Sequence, residues 1–295
     1  MVSALEAALA LSRFAHFAAA MTLFGATAFV VALAPPELAR ALTPAARAIA
    51  AATIPIAALS ALVWLALESA SMVGDWSAFY DLGSIGAVLT DTNFGAVWLW
   101  RLVLAAALVA ALALGRGEAT LALLVGAALL LASLGLVGHA AMQVGAFGAL
   151  HRANDALHLL AAAAWFGGLP LFALSLRATR DPSLSAAALT AMRRFSFWGQ
   201  FDVALIVLTG IVNVALTSGL GALAPTTPYR MLLAAKLVAV GTMVALALFN
   251  RYVLAPRLAQ NGSAQRVLAR SCVAEVVLGA AVVALVSTFG LLDPS

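Results

Sequence analysis

Charged residues are scarce in this sequence, and their scarcity excludes a water-soluble protein. Aspartate, glutamate, lysine and arginine make up only 9% of the 295 residues, whereas 64% are hydrophobic. A soluble domain carries about 25% charged residues, because its surface has to be solvated. With a mean hydropathy of +1.07, the chain cannot cover a water-facing surface, and we expect an integral membrane protein.

Cysteine is nearly absent as well. The single cysteine, Cys272, lies in an apolar run, so no disulfide can form within the chain and a cysteine-rich metal site is excluded. The sequence also lacks a Walker sequence, a glycine-rich phosphate loop and a nucleophile–base motif, which argues against ATP-driven pumping. The net charge of +4 is interpreted as a topology signal, so we expect no nucleic-acid partner.

Eight apolar segments are long enough to cross a bilayer, which requires about 20 mostly apolar residues per helix. They cover roughly residues 8–34, 46–69, 95–115, 119–138, 155–176, 196–218, 229–250 and 271–291. The pattern predicts an all-α, polytopic membrane protein with eight transmembrane helices in a single domain, residues 1–295. The first segment is interpreted as a retained helix, since no basic region precedes it.

The arginines lie mainly in alternate loops of this predicted topology. Those that follow the first, third, fifth and seventh predicted spans are Arg40, Arg47, Arg116, Arg177, Arg180, Arg193, Arg194, Arg251, Arg257, Arg266 and Arg270. The positive-inside rule assigns such loops to the cytoplasm. We therefore expect both termini on the opposite side, which is the periplasm in a Gram-negative cell.

Two pairs of segments resemble each other. The stretches "HFAAAMTLFGA", residues 16–26, and "HLLAAAAWFGG", residues 158–168, match at five of eleven positions. Arg101 and Lys236 also match, because each lies seven residues after an aromatic residue and is followed by Leu-Val. These pairs predict a parallel internal repeat of four plus four helices, with chance similarity between Ala/Leu-rich helices as the alternative. The predicted halves are about residues 1–145 and 146–295.

All four histidines fall on the predicted periplasmic side: His16, His139, His151 and His158. His139 and Met142 are three residues apart, and His151, Asp155 and His158 are spaced four and three, so each set shares a helical face. Imidazole and thioether together suit copper. The sequence thus predicts a metal site of His16, His139 and His158, with Met142 or His151 as an extra ligand. Asp155 is a candidate for orienting the ring of His158.

The alternative is that each histidine is an interfacial residue bonded to a carbonyl or a lipid headgroup, and His151, in the predicted connection, could simply face water. Arg101 and Lys236 lie about two turns deeper, either on a polar path that leads inward or snorkelling to the headgroups. Trp165 lies deeper still, beside small residues that permit close packing or shape a site. The aromatics Trp76, Phe79, Tyr80, Trp98 and Trp100 are interpreted as an interfacial belt.

On these residues the chain resembles the CopD family of bacterial copper-resistance membrane proteins. The matching elements are the His16 helix, "TNFGAVWLWRL" with Arg101, "GHA" at His139, "HLLAAAAWFGGL" from His158, and Tyr229 with Lys236. The resemblance implies an eight-helix inner-membrane protein that handles copper, often beside a periplasmic carrier, CopC, and that is generally taken to move copper inward. It also implies that His16, His139 and His158 occupy the family's histidine positions.

Two other functions fit the same residues. Paired transmembrane histidines also hold haem b in membrane cytochromes, and the family is distantly similar to the HemJ type of protoporphyrinogen oxidase. A haem-binding redox protein or oxidase is therefore one alternative, which leaves enzymatic activity undecided. A structural or assembly subunit without a site is the other.

Overall fold

The computed structural model describes residues 3–114, 119–138, 143–219, 227–257 and 262–293, and these ranges contain nine α-helices and no strand. The helices are α1 Ala4–Ala28, α2 Pro36–Val73, α3 Leu82–Asp91, α4 Asn93–Leu114, α5 Ala119–Ala132, α6 Gly145–Ala178, α7 Ser185–Thr217, α8 Pro228–Phe249 and α9 Gly262–Phe289. Short π-helical segments, Phe29–Leu33 and Asn250–Leu254, extend α1 and α8. The all-α polytopic prediction is confirmed.

Seven of these helices are long and apolar enough to cross a membrane: α1, α2, α4, α6, α7, α8 and α9. The predicted span 119–138 corresponds to α5 and a following 3-10 turn, Ser133–Leu136, which form a shorter apolar helix over Leu121–Leu136. At 1.5 Å per α-helical and 2.0 Å per 3-10 residue, residues 119–136 extend about 29 Å, close to the bilayer's hydrocarbon thickness. An eighth crossing therefore remains a prediction.

Several helices continue beyond the predicted spans. The spans were predicted from hydropathy, which detects only the apolar part of a helix, whereas the ends of a helix are set by its capping residues. The helix α2 begins with Pro36 at its first turn and ends at Gly74, whose φ of 78° is left-handed. The helix α6 begins at Gly145, ten residues before the predicted span. His151 therefore lies within a helix and is 2% exposed, so its expected position in a loop was wrong.

The helix α3 was not predicted, since its ten residues are too few to cross a bilayer. Asp81 caps its N-terminus by accepting from the backbone N–H groups of Gly83 and Ser84 at 3.2 and 2.9 Å. The helix packs against α2 and α4 and connects them.

The two helices that carry the matching segments, α1 and α6, form the centre of the bundle. In each, 56% of the most apolar stretch is buried, against 11% in α7 and in α8. They cross closely: a Cβ on Gly25 would lie 2.4 Å from the carbonyl oxygen of Ala163, and one on Gly167 would lie 2.0 Å from that of Met21. In the predicted repeat Gly25 matches Gly167 and Met21 matches Ala163, so these contacts are reciprocal.

Candidate metal centre

The ring of His158, on α6, is fixed by a hydroxyl on α7. Its Nδ1 lies 2.9 Å from Oγ1 of Thr209. The Thr209 hydroxyl donates its own hydrogen to the carbonyl of Leu205, so it accepts from Nδ1–H of the histidine. The network therefore assigns the tautomer in which Nε2 of His158 carries a free lone pair.

The ring of His151 is fixed in the same way. Its Nδ1 lies 2.8 Å from Oε1 of Gln143. The amide nitrogen of Gln143 donates to the carbonyl of Leu216 at 2.9 Å, which leaves Oε1 as the acceptor for Nδ1–H. Both histidines of α6 thus have Nε2 as the unprotonated nitrogen, the arrangement found in histidine ligands of metals.

His151 and His158 line one cavity of about 390 Å³, here called the histidine cavity, whose walls come mainly from α1, α6, α7, α8 and α9, with single residues or pairs from α2, α4 and α5. Asp155 lines it too, as the spacing of four and three predicts. Met21 and Lys236 add a thioether and an ammonium group to its walls. Arg13 and Glu68 line the cavity as well, so it combines two imidazoles and a soft sulfur ligand with two basic and two acidic groups.

Asp155 does not hold the ring of His158. Its Oδ1 accepts from Nδ2 of Asn213 at 2.9 Å, and it interacts electrostatically with Lys236. The orienting residue is Thr209. Sequence reasoning missed Thr209 and Asn213, although polar residues four apart in the apolar helix α7 were a readable signal.

His16 lies outside the histidine cavity and is fully buried. Its Nδ1 lies 3.1 Å from both the carbonyl oxygen of Ala57 and Oγ of Ser60 on α2. Its Nε2 accepts a hydrogen bond from the guanidinium of Arg101. In this arrangement both ring nitrogens of His16 are engaged by protein groups.

Arg101 is fully buried, so the snorkelling alternative fails for it. Besides His16 it bonds the carbonyl of Leu130 at 3.1 Å, and its guanidinium carbon lies 4.8 Å from the ring centre of Trp98. Trp98 itself is fully buried and donates to the carbonyl of Ala61 at 2.9 Å, so its expected position in the interfacial belt was wrong.

Each of the two matching cations interacts with one of the two matching histidines, but the type of interaction differs. Arg101 bonds directly to Nε2 of His16. Lys236 interacts with His158 electrostatically, and the ring of His158 bonds Oγ1 of Thr209 through Nδ1. Each histidine also lies beside a hydroxyl of similar geometry, since Ser60, like Thr209, donates to a carbonyl of its own helix, that of Ala57.

The remaining predicted site residues are distributed as follows. His139 and Met142 lie outside the described residues, and Gly138 lines the histidine cavity. Trp165 lies near the opposite end of the bundle, where it lines a second cavity. Among the described residues there is no group of three or more His, Cys, Asp or Glu side chains that could hold a metal ion, so a complete ligand set remains a prediction.

Comparison with known proteins yields two family models. Residues 4–149 match the one described as "Copper resistance protein D-like, N-terminal domain". Residues 189–289 match the one described as "Copper resistance protein D". No solved structure matches significantly.

Individual relatives match over most of the chain. The inner membrane protein YebZ of Escherichia coli (strain K12) is 34% identical over 286 residues, which are 96% of this chain and 97% of the relative. Copper resistance protein D of Pseudomonas syringae pv. tomato is 32% identical over 298 residues, 96% of this chain and 95% of the relative. The copper transport protein CutJ of Bacillus subtilis (strain 168) is 31% identical over 178 residues, 57% of this chain and 32% of the relative.

Proposed function

This chain belongs to the copper resistance protein D family, as a multi-pass protein of the inner membrane, and we propose that it binds copper in the histidine cavity and passes it toward the cytoplasm. The family carries the link to copper. The direction and the ligands are our proposals, and the chemistry of the cavity supports them.

One observation supports the site above the others: His151 and His158 line one cavity, and each has its Nδ1–H bound to a protein acceptor, which leaves Nε2 as the nitrogen for a metal. A histidine must be neutral to bind a metal, and an acceptor on its N–H both orients the ring and raises its basicity. The thioether of Met21 in the same cavity suits copper in its reduced form.

We further propose that His139 and Met142, which follow the cavity-lining Gly138, supply ligands. His16 remains a proposed ligand under one condition. Arg101 must first release Nε2 of His16, since that nitrogen accepts its hydrogen bond. Copper binding by His16 would then require a rearrangement between α1 and α4.

The repeat of four plus four helices is also proposed here, and two observations support it. The contacts between α1 and α6 at Gly25 and Gly167 are reciprocal, as contacts across a two-fold axis are. In each half a histidine bonds a hydroxyl, Ser60 or Thr209, and interacts with a cation, Arg101 or Lys236. With α5 as an eighth crossing, this arrangement puts both termini in the periplasm, and a CopC-type carrier would deliver copper to the histidine cavity on that side.

Metal content and visible spectrum test the proposal together. The Cys272→Ser variant, which lacks the chain's one thiol, is purified after growth with copper. We expect stoichiometric copper and no Soret band. A Soret band near stoichiometry would instead establish a haem protein and overturn the copper assignment. Copper accumulation by cells, which should rise on expression of the protein, tests the inward direction.

A further inference from the structure

A second cavity lies at the other end of the same helices, and its lining is unlike that of the histidine cavity. It measures about 650 Å³ and is walled largely by apolar side chains of α6, α7 and α9, among them Phe172, Phe195 and Leu268. Phe172 is fourteen residues beyond His158, which corresponds to about 21 Å along α6. The two cavities are therefore separate sites.

The cavity lies where two helices leave a gap. The helices α7 and α8 hardly touch in the part of the chain that the structure describes, whereas their counterparts α2 and α4 pack directly. A hydrogen bond from the guanidinium of Arg251, at 2.7 Å from the carbonyl oxygen of Ser196, bridges the gap. Because α7 and α8 are also among the least buried spans, we expect this gap to face the bilayer.

The charged residues that line this second cavity indicate which kind of ligand it binds. Arg193 and Arg251 both line the cavity, and Glu275 is the only acid among its described lining residues. Glu275 is 2% exposed and accepts from Nδ2 of Asn250 at 2.6 Å, so it is already engaged within the protein. Arg193 is exposed and has no hydrogen bond or ion pair with any described residue. The net positive charge disfavours a copper ion here, although Cys272 and Met192 supply sulfur to the walls.

We propose that this cavity, here called the arginine cavity, binds an anionic phospholipid. The phosphate would lie between Arg193 and Arg251, and an acyl chain would occupy the apolar walls between α7 and α8. Basic pockets between transmembrane helices bind anionic headgroups through the same combination of charge and apolar surface. Arginine suits this role because its planar fork donates two hydrogen bonds to a phosphate. The proposal is independent of the copper site.

Native mass spectrometry with two lipids of identical acyl chains tests it. The purified protein is exchanged into detergent with equal amounts of phosphatidylglycerol and phosphatidylcholine. We expect the wild type to retain one phosphatidylglycerol with a preference of about thirtyfold, since two arginines contribute to the headgroup. R193Q should lower the preference by about fivefold, and R193Q/R251Q should abolish it.

The single variant is the less disruptive to folding, because Arg193 has no partner to lose among the described residues, whereas Arg251 bonds Ser196. The matched control is R270Q, which removes an exposed arginine near the same end of α9 that does not line the cavity; it should retain phosphatidylglycerol like the wild type. Equal retention of the two lipids, or undiminished retention by R193Q/R251Q, would overturn the proposal. So would saturation of the site by inorganic phosphate without lipid.

Discussion

At the scale of single residues, the candidate site depends on which nitrogen of each histidine carries the proton. Spacing alone predicts that His151, Asp155 and His158 share a face, and all three line the histidine cavity. It cannot predict that Thr209 and Gln143 fix the rings, because those partners come from other elements. The assignment of Asp155 to the ring of His158 failed for the same reason, since Asn213 on α7 engages the carboxylate instead.

Replacing Thr209 with valine tests the role of its hydroxyl. The change keeps the branched shape but removes the acceptor for Nδ1–H of His158. We expect copper affinity to fall by about 10- to 100-fold, as it does when the partner of a metal-bound histidine is lost. The measurement is competition of the protein with a copper(I) chelator in the same detergent.

The matched control for that variant is Thr242→Val. Thr242 is an exposed threonine on α8 whose hydroxyl donates to its own helix, at 2.9 Å from the carbonyl of Val238. Its loss should leave copper affinity unchanged. Equal affinities for Thr209→Val and the wild type would show that the hydroxyl does not prepare His158.

Arg101 gives a second prediction, one about stability. In Arg101→Met, Nε2 of His16 loses its buried donor, whereas the carbonyl of Leu130 keeps the hydroxyl of Ser133 at 2.7 Å. The free energy of unfolding should fall by about 1–3 kcal/mol, the cost of a buried group left unpaired. Thermal unfolding followed by circular dichroism measures it, and Arg266→Gln, at an exposed position, should change little. An unchanged melting temperature for Arg101→Met would contradict the buried network.

At the scale of helices, the sequence predicted the apolar stretches better than the ends of the helices. The apolar windows located seven spans because burial in lipid requires about 20 apolar residues whatever the neighbours are. The early start of α6 at Gly145 was missed, because Arg152 and Asn154 are typical of a loop. Both lie in a helix here, bonded to groups of neighbouring segments: Gln143 accepts from Arg152 at 3.0 Å, and Thr209 from Asn154 at 3.0 Å.

The crossing of α1 and α6 yields a prediction at this scale. In Gly167→Ala the new methyl group would lie 2.0 Å from the carbonyl oxygen of Met21, so the two central helices would have to separate. We expect a loss of about 1–3 kcal/mol in the free energy of unfolding, the usual cost of overpacking. Thermal unfolding in one detergent measures the effect.

Gly241→Ala provides the comparison. Gly241 lies within α8, and a Cβ there meets no atom within 4 Å. The same substitution should therefore be neutral or stabilising by roughly 0.5–1 kcal/mol, because alanine favours the helix over glycine. If both variants lost stability equally, the cost would come from the glycine-to-alanine change itself and not from the crossing.

At the scale of the whole molecule, topology depends on α5. If α5 crosses the membrane with seven longer helices, the termini lie on the same side; if it does not, they lie on opposite sides. Reporter fusions after Gly117, between α4 and α5, and after Ser183, between α6 and α7, distinguish these cases, because α5 and α6 lie between the two points. We expect both fusions to report the cytoplasm. Finding them in opposite compartments would refute the eight-helix arrangement.

The two halves of the molecule differ in how closely their helices pack around the histidine. In the first half, the guanidinium of Arg101 occupies Nε2 of His16. Trp98 of α4 donates to the carbonyl of Ala61 on α2, so these two helices pack directly. In the second half, His158 faces a cavity, and α7 and α8 leave a gap. The sequence pattern predicts the matching residues but not this difference between the halves. The difference depends on the side-chain geometry of arginine compared with that of lysine, and on packing between segments far apart in the sequence.

The central claim is that the histidine cavity of the second half binds copper. The most direct measurement is a copper(I) titration, against a competing chelator, of Cys272→Ser and of Cys272→Ser with His158→Ala. We expect one tightly bound copper ion in the first protein and none in the second, because a site of three or four ligands loses its geometry with one of them. Equal copper binding by the two proteins would contradict the claim and leave His158 as an interfacial residue.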